Sequence, residues 1–149
     1  MKIMNLNPNE IIDFARGLKK TIHSNDPYLI ADYYGIEILH RENCPKNFTA
    51  QTIKVDGYPT VIYINDAYTD FSKSVLCAHE LGHALLHGND VNHFAITSKN
   101  ILTSVEQEAN LFAIALLSHD DIDEQLSVPL SKLNSYLLKS IMDYNITKK

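Results

Sequence analysis

The stretch Ser74-Val75-Leu76-Cys77-Ala78-His79-Glu80-Leu81-Gly82-His83-Ala84-Leu85-Leu86-His87-Gly88 places His-Glu-x-x-His inside an apolar helical pattern. On an α-helix, residues four apart lie one above the other, so the imidazoles of His79 and His83 can converge on a single metal ion. Glu80 follows His79 by one position, roughly 100° round the helix, which puts its carboxylate beside an open coordination position and not on the metal. A carboxylate so placed can take a proton from water activated by zinc. Leu76, Ala78, Leu81, Ala84 and Leu85 make the helix mostly buried, and polar groups buried without partners are costly. Two histidines on such a helix therefore argue for a metal.

A catalytic zinc takes three protein ligands and a water, so a third ligand must come from elsewhere. His87 stacks one further turn beyond His83, where reaching back to a shared ion is poor geometry. Interaction with the negative end of the helix dipole suits it better, and it stays a candidate for contact with substrate or an oxyanion. The scheme with a glycine and a third histidine three and six residues after the second fails, because Leu86 and Asn89 occupy those places. Cys77 reads as a small buried residue.

Ser104 to Leu117 reads as a second buried helix, with Leu111, Ile114 and Leu117 among its core candidates and two glutamates in its opening turns. Glu106 and Asn110 share one face, so Glu106 can bind the metal while Asn110 orients a ligand histidine. Glu108 points roughly 200° away, so a regular helix cannot offer both glutamates as ligands. Stabilising the helix N-terminus is the competing role for either.

Upstream, Asn7-Pro8-Asn9-Glu10 starts a helix that runs to about His23, with Ile11, Phe14, Ala15, Leu18 and Ile22 on one face. Asp26-Pro27 opens a short helix that Gly35 can end, and Ile36 to Leu39 is a strand. Phe48 to Val55 and Thr60 to Asn65 form a hairpin about Asp56-Gly57-Tyr58-Pro59. One sheet edge should then lie near the metal, able to hold an extended peptide by main-chain hydrogen bonds. Asp90 to Asn100 is a polar loop in which His93 is a candidate substrate contact. The acidic run at Asp120, Asp121, Asp123 and Glu124 reads as a solvated turn. From Pro129, Leu133, Leu137, Ile141 and Tyr144 give a last amphipathic helix. The expected architecture is α+β: a small, mostly antiparallel sheet of about three strands packed against helices, in one domain over residues 1–149.

The formal net charge of −5, without any Lys/Arg cluster, argues against direct binding to nucleic acid or an anionic membrane. Only Cys44 and Cys77 are present, far apart and without a secretory signal, which suggests a reduced, cytoplasmic protein. No apolar run is long enough to span a bilayer.

His79-Glu80-Leu81-Gly82-His83-Ala84-Leu85-Leu86-His87, followed about two dozen residues on by Glu106-Gln107-Glu108-Ala109-Asn110-Leu111-Phe112-Ala113, resembles the ImmA/IrrE family of small zinc metallopeptidases. The likeness extends back through the short helix, the strand and a hairpin ending Ile62-Tyr63-Ile64-Asn65, covering most of residues 26–117. It implies a gluzincin-like endopeptidase with Zn2+ on His79, His83 and Glu106, Glu80 as general base, and Asn110 in support. The oxyanion contact is left among Tyr58, Tyr63, Tyr68, His87 and His93. Ser118 and His119 stand where the family often has Met-Pro. Members of such a family often sit in phages and integrative elements, so the implied partner is a helix-turn-helix, DNA-binding repressor that the enzyme cleaves. Two other classes compete: a non-catalytic zinc-containing interaction module, and a toxin-antitoxin component.

Overall fold

Asn7 opens the first helix as the sequence predicts: its Oδ1 accepts from the Glu10 amide at 2.9 Å, and Glu10 Oε1 accepts from the Asn7 amide at 3.0 Å. The computed structural model describes residues 6–87 and 104–149. Helix α1 spans Pro8–Ile22 and buries Ile11, Ile12, Ala15 and Leu18. Asp26 caps α2, Pro27–Tyr33. Gly35, at φ +71°, then turns the chain into β1, Glu37–Arg41, a left-handed conformation that a side chain would strain.

Strands β2, Ala50–Ile53, and β3, Val61–Asn65, form the expected hairpin. The sheet order is β1-β3-β2, and β1 pairs with β3 in parallel, from Glu37 opposite Val61 to Arg41 opposite Asn65. The sheet is therefore mixed, where a mostly antiparallel one was expected. Residues 42–49 carry the chain past the central position to the far edge, and the hairpin returns β3 alongside β1. Nothing local in β1 encodes that direction, because strand propensity describes a pleated surface and not a partner.

Successive strand residues face opposite sides. Ala50, Thr52, Ile62 and Ile64 are buried on one face, while Tyr63 falls on the other, where the Arg41 guanidinium lies 5.1 Å from its ring centroid.

Helix α3, Asp70–Leu86, starts at Thr69, whose Oγ1 accepts from the Ser72 amide. It is buried on two sides. Leu76 and Cys77 pack with Ala50, Ile62, Ile64 and Tyr68 of the sheet layer. Val75, Ala78 and Leu81 belong to a larger core with Ile11, Ala15, Ile30, Phe112 and Leu116. Helix α4, Ser104–Leu117, has the predicted bounds and lies against both α1 and α3. The fully buried Cys77 has its thiol pKa pushed up by that burial, in keeping with an inert packing residue.

The last helix differs from expectation. After a 3-10 turn at Leu130–Lys132, α5 spans Ser135–Tyr144 and starts at Asn134, whose side chain accepts from the Leu137 amide. Leu138 and Met142 face the core, Leu137 and Tyr144 are exposed, and Leu133 and Ile141 are partly buried. Two apolar stripes one residue apart satisfy the same spacing, and packing selected the second. Beyond α5 the chain returns to the head of α3: Thr69 donates its amide to Thr147 O at 3.0 Å, and Ser72 Oγ donates to Asn145 O at 2.8 Å. Among the described residues no helix is long and apolar enough to cross a membrane.

Candidate metal centre

His79 and His83 lie one turn apart on α3, and their Nε2 atoms approach to 3.2 Å. Glu106 of α4 meets both, with Oε1 3.1 Å from His79 Nε2 and Oε2 3.1 Å from His83 Nε2. With metal–nitrogen distances of 2.0–2.1 Å, the edge of a tetrahedral zinc site is roughly 3.3–3.4 Å. The two imidazole nitrogens and the two oxygens of one carboxylate thus converge at nearly the separation one small cation requires, so these residues fit such an ion. The 2% exposure of His83 excludes water as its main partner.

The Glu80 carboxylate lies in the same cluster, its ligand atom and those of both histidines falling within 4.8 Å of one another. It is held to the side, toward the sheet. Thr52 Oγ1 stands 2.7 Å from Glu80 Oε1 and 3.1 Å from the Glu80 carbonyl oxygen, so its one proton can go to either. Thr52 escaped the sequence reading. The signal available was a polar residue on the buried face of a strand, where an unpaired hydroxyl would be unfavourable.

The two carboxylates sit in opposite electrostatic settings. Burial pushes the Glu80 pKa up, against the charge of His79 and the hydrogen bond from Thr52. At Glu106 burial acts in the same sense, but the hydrogen bonds and charges of His79 and His83 outweigh it and hold the carboxyl well below the usual range. Burial disfavours charge on His79, yet Glu106 and Glu80 together raise its pKa. The two neighbouring carboxyls are thus pushed in opposite directions, Glu106 toward its ionised form and Glu80 toward its protonated form.

Asn110, one turn beyond Glu106 and buried, also lies beside His79 and favours its protonated form. His87 is directed at His83 and Glu108, with both ring nitrogens engaged, and does not stand as an open contact for substrate or an oxyanion. Tyr63 is on the sheet face turned away from α3. Tyr58 is exposed in the hairpin turn, and Tyr68 is buried beside the returning C-terminal segment. His93 lies outside the described residues.

Gly82 makes the approach of α4 possible. A Cβ there would stand 3.1 Å from Phe112 Cδ2 and 3.2 Å from the Ala109 Cα, so the α4 backbone would have to give way one turn from Glu106. Gly82→Ala is expected to change folding stability by no more than about 2 kcal/mol, since a helix-propensity gain of about 1 kcal/mol offsets overpacking of about 1–3 kcal/mol. Affinity of the centre for a divalent cation such as zinc should fall about tenfold, because such constellations tolerate only about 0.5 Å of displacement. Chelator competition and thermal melting of both proteins check this; unchanged affinity would show that α4 accommodates the methyl group.

The sequence profile of the IrrE N-terminal-like domain, Peptidase_M78, matches residues 31–130. The chain belongs to this family. The ImmA/IrrE resemblance is thereby borne out, and the matched segment is a metallopeptidase-like domain holding all of the clustered residues. A protein of Bacillus phage phi105, described as uncharacterized immunity region protein 2, is 32% identical over 132 residues, covering 84% of this chain and 79% of the phage protein. No solved structure gives a significant match to this Peptidase_M78 chain.

Proposed function

We propose that the chain is a zinc-dependent endopeptidase that cleaves a helix-turn-helix repressor of a phage or integrative element at a defined bond. The observation that carries this reading is the convergence of His79, His83 and Glu106, with Glu80 held beside them. His79, His83 and Glu106 would hold the ion, with Asn110 supporting His79. When bound, zinc supplies Lewis acidity that polarises a carbonyl and lowers the pKa of water from 15.7 to about 7. Glu80 takes the proton from the attacking water and delivers it to the departing amine nitrogen. Thr52 restrains the Glu80 carboxylate so that it need not reorganise as the proton moves.

The sheet offers a means of holding the peptide. The Asn65 amide donates to Thr49 O at 2.8 Å, which makes Thr49–Asn65, Gln51–Tyr63 and Ile53–Val61 the hydrogen-bonded pairs of the ladder. The main-chain groups of Ala50 and Thr52 therefore point away from β3, toward the outer edge of β2 and beside Glu80. Among the described residues no other strand pairs with that edge. An extended segment added there runs its scissile bond past the cluster.

The phage immunity-region relative supports a repressor as the substrate, and the net charge of −5 suits a protein that acts on a DNA-binding partner in the cytoplasm and not on DNA. Purified, zinc-loaded protein should cut the repressor encoded beside its own gene at one position. A metal chelator should stop the cleavage and added zinc restore it. Zinc and repressor bound, with the repressor left intact, would favour a non-catalytic interaction module.

A further inference from the structure

Helix α4 carries a second glutamate against the histidine ladder of α3. His83 Nδ1 lies 3.1 Å from His87 Nδ1, and His87 Nε2 lies 2.9 Å from Glu108 Oε1. The His87 main chain is fixed as well, since Lys54 Nζ, on the residue after β2, donates to its carbonyl oxygen at 2.6 Å. We infer that Glu108 and His87 form a hydrogen-bonded relay that sets the tautomer and orientation of His83, and through it the affinity of the centre for a divalent cation. The inference rests on His83 being a metal ligand, as proposed above.

The proton assignment follows from chemistry. An ionised Glu108 only accepts, so His87 Nε2–H donates to it. A neutral imidazole then has an acceptor at Nδ1, which requires Nδ1–H on His83. That leaves the lone pair of His83 on Nε2, aimed at the point shared with His79 Nε2 and Glu106. The opposite assignment would aim a proton at that point and exclude a cation. Ligand histidines commonly have their distal nitrogen held in this way. Here a second histidine is interposed between ligand and carboxylate, which lets one helix reach the other across an extra turn. His87 and Glu108 are positioning residues: neither touches substrate or the reacting atoms.

A purely structural ion pair between α3 and α4 makes different predictions. The test measures zinc dissociation constants by chelator competition, together with long-range 1H–15N NMR spectra of the zinc-loaded protein. Wild-type protein should bind one zinc and show His83 protonated at Nδ1. Glu108→Ala should weaken zinc binding about 10- to 100-fold and shift the His83 Nδ1–H resonance. Glu108→Gln, whose amide oxygen still accepts from His87, should recover most of that loss. His87→Phe, which keeps the ring and removes both nitrogens, should behave like Glu108→Ala and serves if the alanine variant does not fold.

Affinities of Glu108→Ala and His87→Phe within threefold of wild type overturn the relay. So does a Glu108→Gln protein as weak as Glu108→Ala, which would indicate a simple charge effect. Failure of the wild-type protein to bind zinc would overturn both the relay and the proposed function, whereas tight binding by all variants would overturn the relay alone.

Discussion

Glu80→Gln should leave one zinc bound while peptide hydrolysis falls by about 10²- to 10⁴-fold, the usual contribution of a positioned general base. The amide is close to isosteric, and its oxygen can still accept from Thr52 Oγ1, now 2.7 Å from Glu80 Oε1. The proposed ligand atoms of His79, His83 and Glu106 are untouched. What disappears is the group able to receive a proton, and burial has already raised its basicity. Removing a buried carboxylate also relieves a desolvation cost, so thermal stability should hold or rise. Zinc content by metal analysis and single-turnover cleavage of the repressor decide the matter. Cleavage at wild-type rate in a clean preparation would remove Glu80 from the base role.

Glu106→Ala should produce the opposite separation, with loss of the metal itself. It leaves two imidazoles 3.2 Å apart, with the Glu80 carboxylate, held to the side by Thr52, as the one remaining acid of the cluster among the described residues. The loss should exceed the roughly 10- to 100-fold seen when a group merely supporting a ligand is removed, so it should also exceed the effect of Glu108→Ala on the same helix. Activity should vanish in parallel at low zinc and return in part when zinc is raised. A Glu106→Ala protein with wild-type zinc affinity would hand the third position to another residue. The comparison is informative because the two glutamates lie on the same helix only two residues apart.

The parts of this arrangement legible in sequence were those written in short-range signals. The i, i+4 histidines and the apolar residues around them marked α3. The caps at Asn7 and Asp26, together with Gly35, marked the upstream elements, and the turn about Gly57 marked the hairpin. The run from Ser104 to Leu117 gave α4 to the residue. The pairing of Glu106 with the histidines was suggested by its helical face and selected by the family pattern.

What the sequence did not disclose depends on contacts between distant residues. The direction of β1 relative to β3 depends on where the chain crosses the sheet. The buried stripe of α5 was one residue away from an equally good alternative. The link from Thr52 to Glu80 spans 28 residues and that from His87 to Glu108 spans 21, so neither leaves a local spacing to detect. Glu106 and Glu108, set roughly 200° apart by a regular helix, both reach histidines on the α3 side, Glu106 meeting His79 and His83 and Glu108 meeting His87.

His79 and His83 belong to one helix and Glu106 to another, so an ion held by all three is a cross-brace as well as a reagent. The unfolded chain has no such cluster, and by mass action free zinc at 100 times its dissociation constant would favour the folded form by about 2.7 kcal/mol. For a chain of this size that corresponds to roughly 5–10 °C in melting temperature. If the ion is zinc, as proposed, zinc starvation would then shorten the protein's lifetime in the cell as well as silence it, tying its abundance to the metal supply.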